Sequence, residues 1–210
     1  MTVDQMVAEL RLRLEDSGDK EFSTTVKMNA LNHAQDRLVS VIDDKYLTEL
    51  EIIEKWSDTT NEPKMVQGVF NLSNLQHTTL FGSNGIKNVK LYNGKYMNRI
   101  GQEEAKQFDS TMVVTDLQDP YYIIFADRME IIPPTNQAVI PLEVYYMKTP
   151  SDLIAGGTCE LNDGLHFTLI FLAEAYCWMN SEEYSRGKEA ERIAMEQITV
   201  LNAKAQTEGV

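Results

Sequence analysis

The chain of 210 residues has few basic residues, only two cysteines and no long apolar run. Its 32 aspartates and glutamates outnumber its 19 lysines and arginines, which gives a net charge of −13. Nucleic-acid binders gain much of their affinity by neutralising phosphates. The acidic balance, together with the absence of any window rich in lysine and arginine, therefore argues against stable binding of DNA or RNA.

The longest apolar stretch, residues 165–177, is interrupted by Glu174. It is shorter than the ~20 residues that a membrane-spanning helix needs, so we expect a buried core helix and no membrane partner. The first residues show no basic segment followed by an apolar one, and no secretory signal is predicted. A helix over 164–177 would hold Cys177 about 20 Å from its start, so a disulfide with Cys159 is not expected and a reducing compartment is predicted.

Motifs for catalysis or metal binding are missing as well. The histidines, His33, His77 and His166, are dispersed, and His166 lies roughly 16 Å from Cys177 along one helix, too far to share a metal. The sequence 82–85 lacks the lysine and hydroxyl residue of a phosphate-binding loop and is typical of a turn. No serine stands in a nucleophile-elbow pattern. We therefore expect no catalytic residue, no metal site and no cofactor.

Both ends of the chain have helical periodicity. The first helix presents an apolar stripe and is capped by Thr2; the second is capped by Ser23 or Thr24. A third helix is expected from about Asp163 as the central buried helix, and a fourth from about Tyr184, weakened locally by Gly187. The first stripe comprises Val3, Met6, Val7, Leu10 and Leu14. The second helix should bury Met28, Leu31, Ala34, Leu38, Val41 and Ile42 and point Lys27, Asn32, Asp36 and Arg37 elsewhere.

The middle of the chain is rich in strand-forming residues and turns. Strands are predicted at 50–54, 65–72, 86–92, 95–100, 121–125, 128–132 and 139–147, with a short helical turn at 102–108. Asn93 and Gly94 predict a hairpin between the third and fourth of these strands, since both residues tolerate positive φ. Ala126 and Asp127 predict a second hairpin.

This order predicts an α+β fold in which a four-helix bundle from the two chain ends carries a β-rich insertion between its helix pairs. We place the bundle at 1–48 and 150–210 and the insertion at 49–149. Two independent domains are the alternative, which is disfavoured because the first helix pair alone has too few apolar residues for a core. The pairs Tyr121–Tyr122 and Tyr145–Tyr146 lie in predicted strands and fit either strand packing or a subunit interface.

Several motifs, in order, resemble the head-to-tail adaptor, or connector, proteins of tailed bacteriophages. Many of these subunits open with a helix that ends in Arg-x-Arg-Leu-x-Asp and continue with a helix that reads Asn-x-Ala-Gln-x-Arg-Leu. A β-rich insert then ends in an apolar run, a proline pair and Tyr-Tyr-x-x-x-Pro-x-Asp-Leu, before a buried helix and an acidic one. The corresponding segments here are Leu10-Arg-Leu-Arg-Leu-Glu-Asp16, Leu31-Asn-His-Ala-Gln-Asp-Arg-Leu38, Met129-Glu-Ile-Ile-Pro-Pro134 and Val144-Tyr-Tyr-Met-Lys-Thr-Pro-Ser-Asp-Leu153.

The resemblance implies a structural virion protein at the head–tail junction, assembled in the host cytoplasm. Its partners would be other copies in a ring of about twelve, the portal protein and the next tail or nozzle protein, with genomic DNA passing through without adhering. Acidic residues exceed basic ones by three in 1–48, by four in 49–149 and by six in 150–210. We therefore expect the helical part to form most of the channel wall, where negative charge discourages DNA from sticking.

The candidate partner contact is the end of the chain, from Tyr184 onward, because an exposed terminal segment can become ordered on binding. It comprises Tyr184, Ile198, Leu201, Ala203, Lys204 and Val210. Plain fraying of the chain end is the competing interpretation. Two other functions stay open: another tail-completion or minor ring protein, and a small hydrolase with an unrecognised carboxylate site, which would need converging acids with shifted pKa values in a deep pocket.

Overall fold

The computed structural model describes residues 1–16, 18–56, 68–91, 94–108, 120–132 and 142–207. The chain is α+β and divides into two compact units. The first, here called the helical unit, comprises Met1–Leu50 and Pro150–Val210; the second, the insertion, comprises Glu51–Thr149. Of the two boundaries predicted from sequence, 149/150 coincides with an observed boundary between the units, and 48/49 lies two residues before the other observed boundary.

Helices dominate the helical unit. The described residues form α1 (Val3–Arg13), α2 (Thr24–Val41), the short α3 (Gln102–Phe108) of the insertion, α4 (His166–Asn180) and α5 (Tyr184–Thr207). Thr2 caps α1 in a box with Gln5, and the Ser23 hydroxyl accepts a hydrogen bond from the Val26 amide at the start of α2. Both predicted caps are confirmed, as is the buried stripe of α1.

Helix α4 is the centre of the helical unit, since it contacts α1, α2 and α5. Nine of its residues are buried, and they cover most of its circumference. The predicted central core helix is therefore confirmed. A turn of 3-10 helix at Asp163–Leu165, capped by the Asn162 side chain, leads into it.

Gly187 lies where α5 approaches α4. A Cβ atom at this position would be 2.8 Å from Met179 Cγ and 3.2 Å from the carbonyl oxygen of Ala175. The expectation from sequence considered only the low helix propensity of glycine. In the fold, the missing side chain is what allows the two helices to come this close.

Helix α2 corrects the predicted inward face. Lys27, which was expected to point away from the core, is completely buried, whereas Val41, which was expected inside, is 37% exposed. The buried positions begin at Lys27 and continue through Ala30, Leu31, Ala34, Gln35, Leu38 and Val39. Apolar periodicity alone could not place a lysine in this row, because its burial depends on acidic partners outside the helix.

The described residues of the insertion form two sheets. Its strands are β1 (Glu51–Lys55), β2 (Val69–Asn71), β3 (Ile86–Leu91), β4 (Asn98–Arg99), β5 (Tyr121–Ile124), β6 (Arg128–Ile132) and β7 (Leu142–Met147). One sheet has the order β1-β7-β3, and both edge strands are antiparallel to β7. The other has the order β2-β6-β5-β4.

The two predicted hairpins differ in outcome. Strands β5 and β6 form an antiparallel hairpin around Ala126 and Asp127, as predicted. The other hairpin is only partly formed: Lys90 and Tyr96 make an isolated bridge, and the chain then leaves to pair β4 in parallel with β5. Gly94 has a φ of 86°, as such a turn requires, while Asn93 lies outside the described residues.

The tyrosine pairs are split by strand alternation. Tyr122 and Tyr146 are buried in the core of the insertion, together with Phe70, Met129 and Val144. Tyr121 and Tyr145 are half-buried on the opposite faces of their strands. One tyrosine of each pair thus packs in the core, and the other is left at the surface.

Candidate protein-interaction surface

An apolar groove runs between α4 and α5 on the surface of the helical unit. It has a volume of about 490 Å³ and is here called the α4–α5 groove. Phe167 and Val200, 53% and 54% exposed, are its most prominent apolar residues. Its lining comprises Gly164, Phe167, Thr168, Ile193, Glu196, Gln197, Val200 and Leu201.

The packing of the two helices explains why these apolar side chains face solvent. Phe167 stands between buried His166 and Thr168, on the side of α4 away from the core. The Thr168 hydroxyl donates to Gln197 Oε1 at 2.8 Å, which ties α4 to α5 at the floor of the groove. Large exposed apolar side chains grouped in this way are typical of interaction sites.

A second depression continues along α4 toward α1 and shares Ile193 with the α4–α5 groove. Here the Arg13 Nε donates to Glu174 at 2.7 Å, and its guanidinium lies 3.8 Å from the centre of the Phe171 ring. The Arg186 guanidinium lies 4.6 Å from the Trp178 ring. Arginines stacked on aromatic rings make this end polar, in contrast to the apolar end at Phe167.

The rim of the groove is acidic, with one embedded arginine. Arg192 pairs with both Glu189 and Glu196 on α5, and these hydrogen bonds raise its pKa. Asp163, next to Gly164 of the groove lining, is 86% exposed and pairs with the Met1 ammonium at 2.7 Å. An apolar patch with a charged, hydrated rim is the usual anatomy of a protein–protein contact.

The predicted contact residues are distributed over three environments. Tyr184, Ala203 and Lys204 are exposed on α5, and Leu201 is half-buried in the wall of the groove. Ile198 was predicted as a contact residue, but it is only 2% exposed. It belongs to the interior because its side of α5 faces the core. Val210 lies outside the described residues.

Phe167 and Val200, the two residues that dominate the groove, were not predicted as contact residues from the sequence. Each sits beside a core stripe, so apolar character alone did not distinguish it from buried neighbours. A signal was present in α5, where Val200 falls two residues after buried Ile198 and so on the opposite side of the helix. For α4 no such signal exists, since nearly all of its circumference is apolar.

Lys27, Asp16 and Asp19 form a structural cluster elsewhere in the helical unit. The Lys27 ammonium donates to Asp16 Oδ2 at 2.9 Å, to Asp19 Oδ1 at 2.6 Å and to the Phe22 carbonyl at 2.6 Å. Lys27 holds the pKa values of both carboxyls below their usual range. Asp16 also accepts the backbone N–H groups of residues 20–22, so its acceptors are fully used by the fold.

His166 and Cys177, a potential base and a potential nucleophile, are also buried in the fold. Burial lowers the pKa of His166, whose Nε2 lies 2.9 Å from the Leu161 carbonyl. Burial raises the pKa of Cys177 to about 12, so this thiol stays protonated and unreactive. Both cysteines are free. Within the described ranges, no three or more histidine, cysteine, aspartate or glutamate residues are grouped so as to hold a metal ion.

Among its described residues, the insertion buries one carboxylate, that of Glu54, which is 7% exposed. Its Oε1 accepts the Gln76 N–H at 2.8 Å and the Tyr146 hydroxyl, whose pKa is raised by burial and by this carboxylate. Its Oε2 finds no hydrogen-bond partner in the part of the chain that the structure describes. The Tyr146 hydroxyl also accepts the His77 N–H at 3.3 Å, so the group is a core network.

No model of a known protein family matches the chain, and no curated protein sequence matches it significantly. Among the described residues, no helix is both long enough and apolar enough to cross a membrane. The fold and the surface therefore define an α+β chain whose most developed candidate site is an apolar groove on its helical unit.

Proposed function

We propose that the chain is a structural subunit of the ring that joins the portal to the tail in tailed bacteriophages, without a catalytic site. The α4–α5 groove carries this proposal, because it is an exposed apolar surface with a charged rim on a unit built from both ends of the chain. The ordered motifs that resemble head-to-tail adaptors support the particular kind of assembly.

In this proposal α1, α2, α4 and α5 form one four-helix bundle around α4. Helix α4 contacts the other three helices, and its remaining side carries the groove. A groove on one side of a subunit favours contact with a different surface of the next subunit. Such heterologous contacts close into rings, here of about twelve copies between the portal protein and the next tail or nozzle protein.

The charge of the helical unit fits the wall of a DNA conduit. This unit holds 20 acidic and 10 basic residues, whereas the insertion holds 12 and 9. Like charge keeps a passing duplex from adhering to the wall. The helical unit then supplies most of the wall in a ring that is assembled in the host cytoplasm and retained in the virion.

Electron microscopy of the purified chain mixed with its portal tests the proposal. Ordered rings on the portal are expected for the wild type and not for Val200→Asp, which places a charge in the groove. Val26→Asp is the matched control, since Val26 is also exposed, at 38%, but lies in the first turn of α2, where an acid is tolerated.

Absence of any complex between the wild-type chain and the portal would refute the connector role. Rings that form only with a tail component would move the protein to another tail-completion position. Equal assembly of both valine variants would remove the groove from the proposal.

We place the portal contact at the C-terminal end of α5, at Ala203 and Lys204, whereas Tyr184 is the first residue of this helix. Lys204→Glu should weaken portal binding about tenfold if this lysine meets an acidic portal surface. Lys188→Glu, an exposed lysine earlier on the same helix, is the control. Identical binding curves for the two variants would locate the portal contact elsewhere.

A further inference from the structure

The three-stranded sheet of the insertion differs in charge from the rest of the chain. Its strands β1, β3 and β7, with the adjoining residues 94–96 and 148, contain five lysines and three glutamates. One glutamate, Glu54, is buried, so lysines dominate the surface of this sheet within a chain of net charge −13. The lysines are Lys55, Lys87, Lys90, Lys95 and Lys148, and the other acids are Glu51 and Glu143.

One face of this sheet combines lysines with exposed apolar side chains. Lys55 and Lys90 stand opposite Glu143 in the strand register and lie 3.0 and 3.4 Å from its carboxylate. Two residues along β7, Tyr145 is flanked by Ile53, its register partner, and by the Tyr96 ring at 6.1 Å. Ile53 and Tyr96 are 53% and 58% exposed. We call these six residues the tyrosine–lysine face.

The arrangement suits a protein partner better than a nucleic acid. Glu143 places a carboxylate between the two lysines, where it would repel a phosphate backbone. Ile53 offers an aliphatic surface without hydrogen-bonding capacity. The Tyr145 hydroxyl donates to Glu143 at 2.9 Å, which fixes the ring as a preorganised apolar contact. Tyrosine and aliphatic anchors with a charged rim are typical of protein interfaces.

We propose that the tyrosine–lysine face docks on the helical unit of a second copy of this chain, at its α4–α5 groove. The two surfaces are complementary in charge: the lysines face a unit with 20 acidic and 10 basic residues, whose groove is lined by Glu196. Both surfaces also expose large apolar residues that association would cover. The inference deepens the proposed function, on whose ring of copies it rests, by naming the two surfaces that meet.

Disulfide trapping between two variants tests the contact directly. Ile53→Cys and Val200→Cys chains are mixed at roughly millimolar concentration, where weak contacts are populated, and oxidised. A mixed disulfide is expected in about tenfold excess over that of an Ile154→Cys and Val200→Cys mixture. Ile154 is a suitable control because it is exposed, at 66%, but belongs to the helical unit. The wild type, with its own two cysteines, gives the background.

A mixed disulfide no more abundant than in the control mixture would overturn the inference, as would a predominance of Ile53→Cys homodimers. Lys55→Gln should reduce trapping several-fold at low salt, whereas Lys106→Gln should not. These lysines are matched, with side chains 66% and 68% exposed and each paired with a glutamate. Unchanged trapping with Lys55→Gln would refute the charge argument. Binding of DNA that depends on Lys55, without trapping, would assign the face to nucleic acid instead.

The outcome is separable from that of the connector proposal. If the chain forms no complex with a portal but the mixed disulfide appears, the connector role fails and the contact between copies stands. If rings form on the portal and no mixed disulfide is obtained, the connector role stands and the copies meet through other surfaces.

Discussion

The helical unit buries the ammonium of Lys27 and the insertion buries the carboxylate of Glu54, and the two charges are stabilised in different ways. Lys27 donates to three oxygen atoms from residues 5 to 11 positions away in the sequence. Glu54 receives hydrogen bonds from residues 22 and 92 positions away, and only one of its two oxygens is used by the described residues. The first charge is satisfied by the local chain, and the second only once a sheet has formed. Loss of either charge therefore tests a different level of structure.

Replacement of Lys27 should have the largest effect on stability. Lys27→Met leaves the Asp16 carboxylate buried without its cation, and breaking a buried ion pair in this way costs roughly 3 kcal/mol. Denaturant unfolding followed by Trp178 fluorescence in a Trp56→Phe background reports on the helical unit. Lys20→Met, at an exposed neighbouring lysine, should change the free energy of unfolding little. A similar loss for both variants would mean that the cluster contributes nothing beyond surface charge.

Loss of a hydrogen bond from the Glu54 network of the insertion should have the next largest effect on stability. Tyr146→Phe removes a hydroxyl donor from buried Glu54 and should cost about 2 kcal/mol. Tyr145→Phe removes a hydroxyl bonded to the solvated Glu143 and should cost less than about 0.5 kcal/mol. Hydrogen exchange of the β1 and β7 amide groups measures both effects. Equal exchange in the two variants would show that the Glu54 network adds no stability to the sheet.

Gly187→Ala should have a smaller effect on the free energy of unfolding. Its sign should be opposite to the one that helix propensity predicts. Propensity alone predicts a gain of up to about 1 kcal/mol for alanine. The approach of α4 to α5 leaves no room for the methyl group, so we expect a net loss of roughly 1 kcal/mol. Ser185→Ala, at an exposed site on the same helix, should be neutral or slightly stabilising. A gain of stability in Gly187→Ala would contradict the tight crossing.

Acidification should have the smallest effect on the stability of the helical unit, and this effect should begin only when the pH falls below about 4. Because Lys27 depresses the pKa values of Asp16 and Asp19, their contribution to stability is complete above the ordinary aspartate value of about 3.9 and is lost as the pH falls further. The unfolding midpoint of the helical unit should be flat from pH 7 to 5 and fall below about 4. In Lys27→Met the fall should be smaller; an equally steep fall would assign it to other carboxylates.

Much of the architecture could be predicted from local patterns. The caps at Thr2 and Ser23, the stripe of α1 and the hairpin at Ala126–Asp127 all depend on residues close in sequence, and the structure confirms them. The hairpin predicted at Asn93–Gly94 was correct only near its turn, because β5 draws β4 into the other sheet. The residues of the turn cannot predict this competition between the two sheets, because it depends on a strand distant in the sequence.

The candidate surface was less accessible to prediction than the fold. The sequence indicated α5 as the contact helix and included Leu201, which lines the groove, but it also included Ile198, which is in the core. Phe167 was not recognised, since α4 is apolar on nearly all sides and only its neighbours decide which side is left open. The lysine-rich sheet was hidden for a related reason, because its lysines come from segments that are far apart in a chain of negative charge.

By itself, the sequence determined the acidic character of the chain, the helical ends, the strand-rich middle and the caps and turns that separate them. These properties follow from composition and from periodicity over a few residues. Only the tertiary structure decided that Lys27 is internal, that Gly187 serves a helix crossing, and that Phe167 and Val200 share a groove. Burial and surface proximity depend on which segments pack together, and that information is carried by contacts between residues remote in the chain.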